Sequence, residues 1–413
     1  MLNDHRKCAS IPTFDPARVV CRLPSPMGVD ERSFMDVQAI RAQFPDAHKY
    51  VFLNNASRSI LPVSCIEAMN RYSELCHRVT FQPFPEYEKL LPDLRSQLAA
   101  LIHCTPDEIA LSWNTSVPLN TAAQSFPLKA GDRIVVGRSE FPANVYVWEN
   151  LARKGVEVTI LPPGRGYTTP EDVREALDAR TRIVALSFVS FHNGYRADLG
   201  RIGEICKDAG VVLAVDAIQG LGAIEIDVKA CNIGILASGG QKWLLAPCGT
   251  GFLYLSRELL ESTWPSFAGW VTVKGLDPKH RFILGVPFEP VDDARRFEIG
   301  TLAFHDLVGF RESLALILSV GVQEIQRHVL GLLDILIEEL RSLPVKVQSP
   351  LGPGERSGIL AFRCEDPTSV KEHLLEQRIV VAEREGAVRV SPHLYNTVDD
   401  IEKLCLALRS FFY

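Results

Sequence analysis

Residues 215–256 read VDAIQGLGAIEIDVKACNIGILASGGQKWLLAPCGTGFLYLS. An acid, Asp216, closes an apolar run, and a lysine, Lys242, follows 26 residues later between Gly-Gly-Gln and Trp-Leu-Leu. Strand-like runs flank the pair, GVVLAVD before it and GFLYLS after it. Both ionisable groups therefore fall in apolar surroundings, where an isolated charge is costly. The spacing leaves two readings: a strand-end acid with a surface lysine, or two groups facing one site.

The pattern continues outward from this stretch. From about residue 95 to 255, apolar and β-branched runs (DRIVVG, VEVTILP, TRIVALSFVS, GVVLAVD) alternate with helical stretches (TPEDVREALDA, LGRIGEICKDAG). Buried strands alternating with amphipathic helices predict an α/β fold with an open, mostly parallel sheet covered on both faces. Ligands of such sheets bind beyond the carboxyl ends of the strands, and Asp216 stands at one of them. Beyond about residue 305 come a long helical pattern at 307–343, three short strand candidates (GILAFRC, RIVVAE, AVRVS) and a closing helix, TVDDIEKLCLALRSFF. The expected organisation is an N-terminal arm at 1–35, a large domain at 36–304 whose first residues pack on the small domain, and a smaller α+β domain at 305–413.

Bulk properties exclude several classes. The formal net charge of −6 argues against nucleic acid or an anionic membrane as main partner. The N-terminal stretch carries charges and prolines where a signal peptide needs an apolar core. No apolar run approaches the roughly 18–20 residues of a membrane span, so the expected location is cytoplasmic. Ten cysteines occur with no CxxC pair, which predicts neither a zinc site nor a disulfide framework. GLGAIE supplies only half of a dinucleotide-binding glycine motif, and it follows the strand that ends in Asp216.

A buried acid and lysine at one strand end suit pyridoxal phosphate. That cofactor is carried by a lysine as a Schiff base and keeps its ring nitrogen protonated against a carboxylate. The lysine then serves a second time by moving the substrate α-proton. Glycines beside it let the backbone approach the cofactor closely.

The ordered series of motifs from YVFLNNASRSILP at residue 50 to the C-terminus resembles the class V aminotransferase family of fold-type I pyridoxal-phosphate enzymes. That group includes cysteine desulfurases, isopenicillin N epimerase-like proteins and ergothioneine-type C–S lyases. The resemblance implies Lys242 as the cofactor lysine, Asp216 as the ring-nitrogen partner and Gln219 as a ring-hydroxyl partner. SWNTSVPLN resembles the phosphate-binding turn, nominating Thr115 and Ser116 at a helix start. SEFPANVYVW resembles the segment that lays a side chain on the cofactor face; desulfurases use histidine there and this chain has Phe141. FEIGTLAFHDLVGF nominates Thr301 as a phosphate ligand lent across a dimer interface. AVRVSPHLYNT nominates Arg389 for the substrate carboxylate, which a guanidinium fork grips bidentately. LNNAS nominates Asn54 and Asn55 on the substrate side, and SFHNGYR nominates Asn193 for the cofactor and His192 for the substrate.

Two departures from the family pattern bear on function. Where the family often has Ser or Thr three residues before the lysine and His immediately before it, this chain has Gly239 and Gln241. Gln241 retains a donor for phosphate. Desulfurases also carry a nucleophilic cysteine on a loop before the final arginine motif. Here only REGA stands between RIVVAE and VRVSPH, and Cys364 lies earlier, in a strand-like run. The resemblance thus implies an α-carbanion enzyme acting on an amino acid, first of all a β-lyase or C–S lyase on a cysteine-S-conjugate and not a persulfide-forming desulfurase. Transamination, epimerisation and carbanion–oxygen chemistry use the same residues.

Overall fold

In the computed structural model, residues 35–78, 88–270, 273–274 and 287–413 are described. The arm expected at 1–35 lies outside them but for Met35. The first strand, β1 (Val51–Phe52), precedes a seven-stranded sheet of β2 (Ile109–Ser112), β3 (Arg133–Val136), β4 (Glu157–Ile160), β5 (Thr181–Ser187), β6 (Val212–Asp216), β7 (Ile233–Gly239) and β8 (Gly251–Leu255). Their spatial order is β2-β8-β7-β6-β5-β3-β4. Strand β8 runs antiparallel to both β7 and β2, and every other pairing is parallel. The mostly parallel sheet expected from the alternating pattern is the one observed.

The reason lies in side-chain burial. Strands β2, β6, β7 and β8 are buried almost throughout, as a sheet covered on both faces requires. On one face Ile134, Val136, Ile183, Ala185, Ile235 and Leu253 join a core that continues through Leu119 and Trp148 of the covering helices. Strand β4 at the edge is half-exposed, and its first residue, Glu157, lies 2.6 Å from Arg180. A charge of this kind blunts an open edge.

A second sheet collects β9 (Lys346–Val347), β10 (Leu360–Arg363), β12 (Ala382–Arg384) and β13 (Ala387–Val390) in the antiparallel order β12-β13-β10-β9. The intervening β11 (Ile379–Val380) pairs instead with β1, in parallel. Residues 51–52 therefore meet residues 379–380, and Asp36–Tyr413 form one compact unit. RIVVAE, a single strand candidate in the sequence, is split between two sheets. The long helix expected over 307–343 is likewise two helices, Phe304–Val320 and Val322–Leu340. Gly321 between them takes φ +87°, a conformation that L side chains rarely adopt and that ends the first helix. Among the described residues no helix is long and apolar enough to cross a membrane.

Register does the placing that matters for function. Ser187 at the end of β5 pairs with Asp216 at the end of β6, and Asp216 pairs with Ala237 on β7. Three carboxyl-terminal strand ends thus lie side by side, and Lys242 follows three residues beyond the last residue of β7. Ser391, just beyond β13, joins the segment after β1: its N–H and hydroxyl both donate to Leu53 O, at 2.7 and 3.2 Å.

The closing helix, Val398–Phe412, starts with a capping box in which Thr397 Oγ1 accepts from Asp400 N at 3.3 Å and Thr397 N donates to Asp400 Oδ2 at 3.1 Å. Asp400 is buried and also pairs with Arg41 at 2.6 Å, so the cap anchors this helix to the start of the unit. Thr397→Ala removes the acceptor and should destabilise the protein by about 1 kcal/mol, within the ~0.5–2 range of such caps. A urea titration that leaves the midpoint unchanged would contradict this role.

Candidate active site

Asp216 and Lys242 come together as the opening stretch of sequence suggests. Asp216 is 2% exposed and accepts a hydrogen bond from Ile218 N at 3.0 Å. Burial pushes its carboxyl up to about 6, against the pull of the Ile218 N–H and the Lys242 charge. Burial pushes the Lys242 amine down to about 8; Asp216 works in the other direction, while the cations Arg389 and Arg384 add to the fall. The two groups therefore act on each other's charge, and both are poised close to neutrality, where proton transfer is efficient. Lys242 Nζ also sits 5.8 Å from the centre of the Phe141 ring, which is 46% exposed and meets Phe191 edge-on at 5.3 Å.

Arg389 enters from β13. Its guanidinium donates to Phe191 O at 2.5 Å and to Ser57 Oγ at 2.7 Å, and its Nε has no protein partner. Only 1% of the residue is exposed, and burial pulls it down to about 10. Asn54 Oδ1 and Gln241 Oε1 are likewise buried without a hydrogen-bond partner. Buried polar atoms are nearly always satisfied. Three orphans on the segments around Lys242 therefore point to a polar ligand.

Other nominated residues are already engaged. Asn55 is fully buried, donating to Ser391 O at 2.8 Å and accepting from Tyr395 Oη at 2.8 Å, which ties both ends of its amide to the framework and leaves one amide hydrogen. Gln219 donates to Ala56 O at 3.0 Å and accepts from Trp243 Nε1 at 3.1 Å, which leaves one amide hydrogen for any ring hydroxyl. Asn193 locks its own turn by accepting from Tyr195 N at 3.0 Å and donating to Gly166 O at 3.3 Å. His192 is buried against Ser190 Oγ at 2.9 Å, and burial lowers its pKa.

Thr115 and Ser116 stand at the start of the helix Ser116–Ser125 as expected, but the side chain that caps this helix is Asn114, which accepts from Val117 N at 2.9 Å. Thr115 Oγ1 instead accepts from Gly239 N at 2.9 Å, tying the helix start to the end of β7 and leaving its hydroxyl hydrogen to donate. Ser116 and Thr301 are exposed. Ser238 is buried and donates to Gly239 O at 3.1 Å.

Two residues were not singled out from the sequence. Glu140, immediately before Phe141, is a second acid at this edge: its carboxylate accepts from Ser187 N at 2.8 Å, from Asn144 Nδ2 at 3.0 Å and from the Ser187 hydroxyl. Only its place next to the nominated Phe141 hinted at it. His393 is fully buried; its Nδ1 accepts from Leu394 N at 2.7 Å, so its Nε2 donates to Trp243 O at 3.0 Å. That bond holds the carbonyl of Trp243, the residue after Lys242, and SPH in the arginine motif was the available signal.

Comparison with known proteins accounts for this architecture. The family model described as Aminotransferase class-V matches residues 51–404. A probable cysteine desulfurase of Methanothermobacter thermautotrophicus is 28% identical over 395 residues, covering 90% of this chain and 97% of the relative. An uncharacterized aminotransferase of Bacillus subtilis is 28% identical, covering 87% and 94%. Among solved structures, the apo cysteine desulfurase of Thermococcus onnurineus NA1 superposes with a TM-score of 0.81 at 24% identity, over 91% of this chain and 98% of that one. The cystine C–S lyase C-DES, solved with its reaction product cysteine persulfide, gives 0.80 at 23%, over 89% and 99%. The chain belongs to the class V aminotransferase family and has its fold-type I architecture. It is an enzyme of the pyridoxal-phosphate-dependent kind.

The residues present fit that cofactor. A carboxyl and an amine share one strand edge, an exposed ring lies near the amine, a helix start offers hydroxyls, and unpartnered buried polar atoms surround them.

His393 supplies a pH test of the framework. Burial pulls its imidazole down to about 4 from an ordinary value near 6.5. Between those values the unfolded chain binds the proton and the folded chain does not, so this residue's stabilising share is complete above about 6.5 and is lost as pH falls towards 4. The wild-type advantage over His393→Gln in urea should therefore grow from pH 4 to pH 6.5, by on the order of 2–3 kcal/mol. A constant difference across that range would refute the buried neutral imidazole.

Proposed function

We propose that the enzyme catalyses β-elimination from a cysteine-S-conjugate or a related β-substituted α-amino acid, releasing a thiol, pyruvate and ammonia. The observation that carries this reading is the hairpin between β12 and β13. Arg384 pairs with Ala387 across a turn of only Glu385 and Gly386, with φ of +49° and +71°. This is the place where a desulfurase has its cysteine loop, and two turn residues present no nucleophilic sulfur. Cys364 is only partly exposed and burial raises its thiol pKa, which suppresses the reactive thiolate. Cys248 is exposed on the turn before β8, away from the β12–β13 turn in sequence.

Relatives named as desulfurases share the family, and a structural neighbour named as a C–S lyase shares the fold. The difference between the two chemistries lies in where the sulfur goes. With no thiol on the β12–β13 turn to accept it, sulfur leaves with the substrate's own Cβ substituent.

In this reading pyridoxal phosphate supplies the electron sink for a carbanion at the substrate Cα. Asp216 would keep the ring nitrogen protonated. Lys242 carries the cofactor, and its amine, lowered towards neutrality by burial, removes the Cα proton. Arg389 binds the substrate carboxylate, for which its unpartnered Nε is free. Asn54 and His192 line the substrate side. Phe141 stacks and cannot carry a proton, which leaves Lys242 as the proton-moving group. Lys242 would take the Cα proton, the Cβ–S bond would break with its electron pair going to sulfur, the thiolate would leave as the thiol on taking up a proton, and one water would convert the remaining three-carbon fragment to pyruvate and ammonia. Thr115, Ser116 and Gln241 would hold the phosphate, and Gln219 and Asn193 would meet the ring hydroxyl.

Thr301 would reach the phosphate of a second copy, making the enzyme a homodimer. A division at residues 304/305 into large and small domains, and cytoplasmic residence, complete the reading.

Borohydride treatment of the holoenzyme followed by mass spectrometry should mark Lys242 with the reduced cofactor, and Lys242→Ala should lose both the mark and all turnover. A marked lysine elsewhere would sink the assignment. In heavy water with candidate substrates, pyruvate and stoichiometric thiol support elimination. Recovered substrate of inverted configuration points to epimerisation, and turnover that needs an added keto acid points to transamination; either replaces the proposal.

Sedimentation should give a dimeric mass, with Thr301→Ala weakening cofactor binding about tenfold, the equivalent of one hydrogen bond to a charged group. A monomer with full cofactor occupancy would refute the shared site.

A further inference from the structure

Glu140 is used by nothing described so far, yet it is the most heavily bonded acid at the catalytic edge. Its Oε1 accepts from Ser187 N at 2.8 Å, and its Oε2 takes the Ser187 hydroxyl and Asn144 Nδ2. Ser187 is the last residue of β5 and the direct pairing partner of Asp216. Asn144 belongs to the turn Pro142–Asn144 that follows Phe141, and it accepts in turn from Trp148 Nε1 at 3.0 Å in the hydrophobic core. One carboxyl group therefore ties the segment bearing Phe141 to the strand end beside Asp216.

We propose that Glu140 is a positioning residue of the active site: it orients Phe141 over the edge and, through its own charge state, sets how readily Asp216 holds a negative charge. The proposal rests on the reading of Asp216 and Lys242 as the cofactor-binding pair.

The surroundings support an electrostatic role as well as a mechanical one. Beside Glu140 lies a cavity of about 20 Å³, room for one water, lined by Ser139, Thr168, Ser190 and Tyr195. Glu140 itself is half-buried, with Ser187 and Asn144 occupying its oxygens. The charged groups near it are few. Asp216 faces it from β6 and repels its charge. The Arg138 guanidinium turns away to Asp172 at 2.7 Å. The phenols of Tyr167 and Tyr195 border the same cavity, and burial keeps the Tyr195 phenol protonated. Lys242 favours the charged form of Asp216.

A half-buried carboxyl and a buried one at the same strand edge do not ionise independently. Burial first, and the Asp216 charge in addition, push Glu140 up to about 7, against its hydrogen bonds from Ser187 and Asn144. When Glu140 is protonated, Asp216 takes the negative charge alone and pairs with a cation on its other side. When Glu140 ionises, a second negative charge raises the proton affinity of every group at the edge. A hydrogen-bonding brace without charge would do only the first of these jobs.

The sign for stability follows from the raised value. Between the ordinary glutamate value of about 4.3 and the folded value of about 7, the folded state keeps a proton that the unfolded chain releases. The Glu140 contribution is thus fully present below about 4.3 and is lost as pH rises through 7.

The test compares wild type with Glu140→Gln, whose amide has similar shape and no charge. In the cofactor-stripped protein, the wild-type advantage in melting temperature should shrink from pH 5 to pH 8. In the holoenzyme, the pH midpoint of the cofactor's absorbance near ~420 nm should fall by about half a unit or more, because a negative charge close to the titrating cation is gone. Should Glu140→Gln fold poorly, Ser187→Ala removes one bond that favours the ionised carboxyl and should move the midpoint the same way by less. A midpoint that stays put in the folded variants, or a melting difference that is constant with pH, would overturn the proposal and leave Glu140 a plain structural brace. Loss of the borohydride mark from Lys242 in wild type would instead sink the cofactor assignment itself, so the two failures are separable.

Discussion

The burial of Asp216 is the constraint around which this molecule is arranged. A carboxylate that is 2% exposed at the end of a central strand is unfavourable by itself. It is tolerated because Ile218 N–H points at it and a cation lies across the edge. That cation must come from Lys242, so the chain has to leave β7, turn through two glycines and return at close range. An alanine at Gly239 would put its Cβ 2.4 Å from Gln241 Oε1, and one at Gly240 would put it 2.3 Å from Thr250 Oγ1. At Gly240 the Cβ would also meet Ala246 Cβ at 2.8 Å, so the turn beside the lysine is tight.

Holding that turn requires groups from distant parts of the chain. Trp243 O takes a hydrogen bond from His393, Trp243 Nε1 gives one to Gln219, and Gln219 gives one to Ala56 O. Ala56 N donates to Ser391 Oγ at 3.0 Å, which closes the circuit on the segment that carries Arg389. The lysine turn, the acid's loop, the 54–57 loop and the arginine strand thus form one bonded ring. Such buried networks rigidify a site when every member is satisfied. The few atoms in it that lack partners, Arg389 Nε, Asn54 Oδ1 and Gln241 Oε1, stand out for that reason as groups kept for a ligand.

The same logic separates framework from chemistry among residues that look alike in sequence. Asn54 and Asn55 are neighbours of one type. Asn55 joins Tyr395 and Ser391 inside the protein, whereas Asn54 keeps an unpartnered oxygen. Thr115 and Asn114 divide the labour at one helix start, Asn114 capping the helix and Thr115 holding the end of β7.

Much of this was legible before any coordinates. The alternation of β-branched runs with amphipathic stretches specified a mostly parallel sheet, because local periodicity reports which faces are buried. The family motifs nominated Lys242, Asp216, Phe141 and Arg389, and all four meet at one strand edge or its facing wall. Sequence could not decide that RIVVAE serves two sheets, that the 307–343 pattern breaks at Gly321, or that Asn55, Gln219 and Asn193 are already committed. Nor did it mark Glu140. Hydrogen-bond saturation depends on contacts such as Asn55 with Tyr395, 340 residues apart, and a carboxyl's charge depends on which strand ends lie next to it. Periodicity and spacing are local properties of the chain and so are written in it; the satisfaction and charge of a buried group belong to its neighbours in space, which only the folded arrangement assigns.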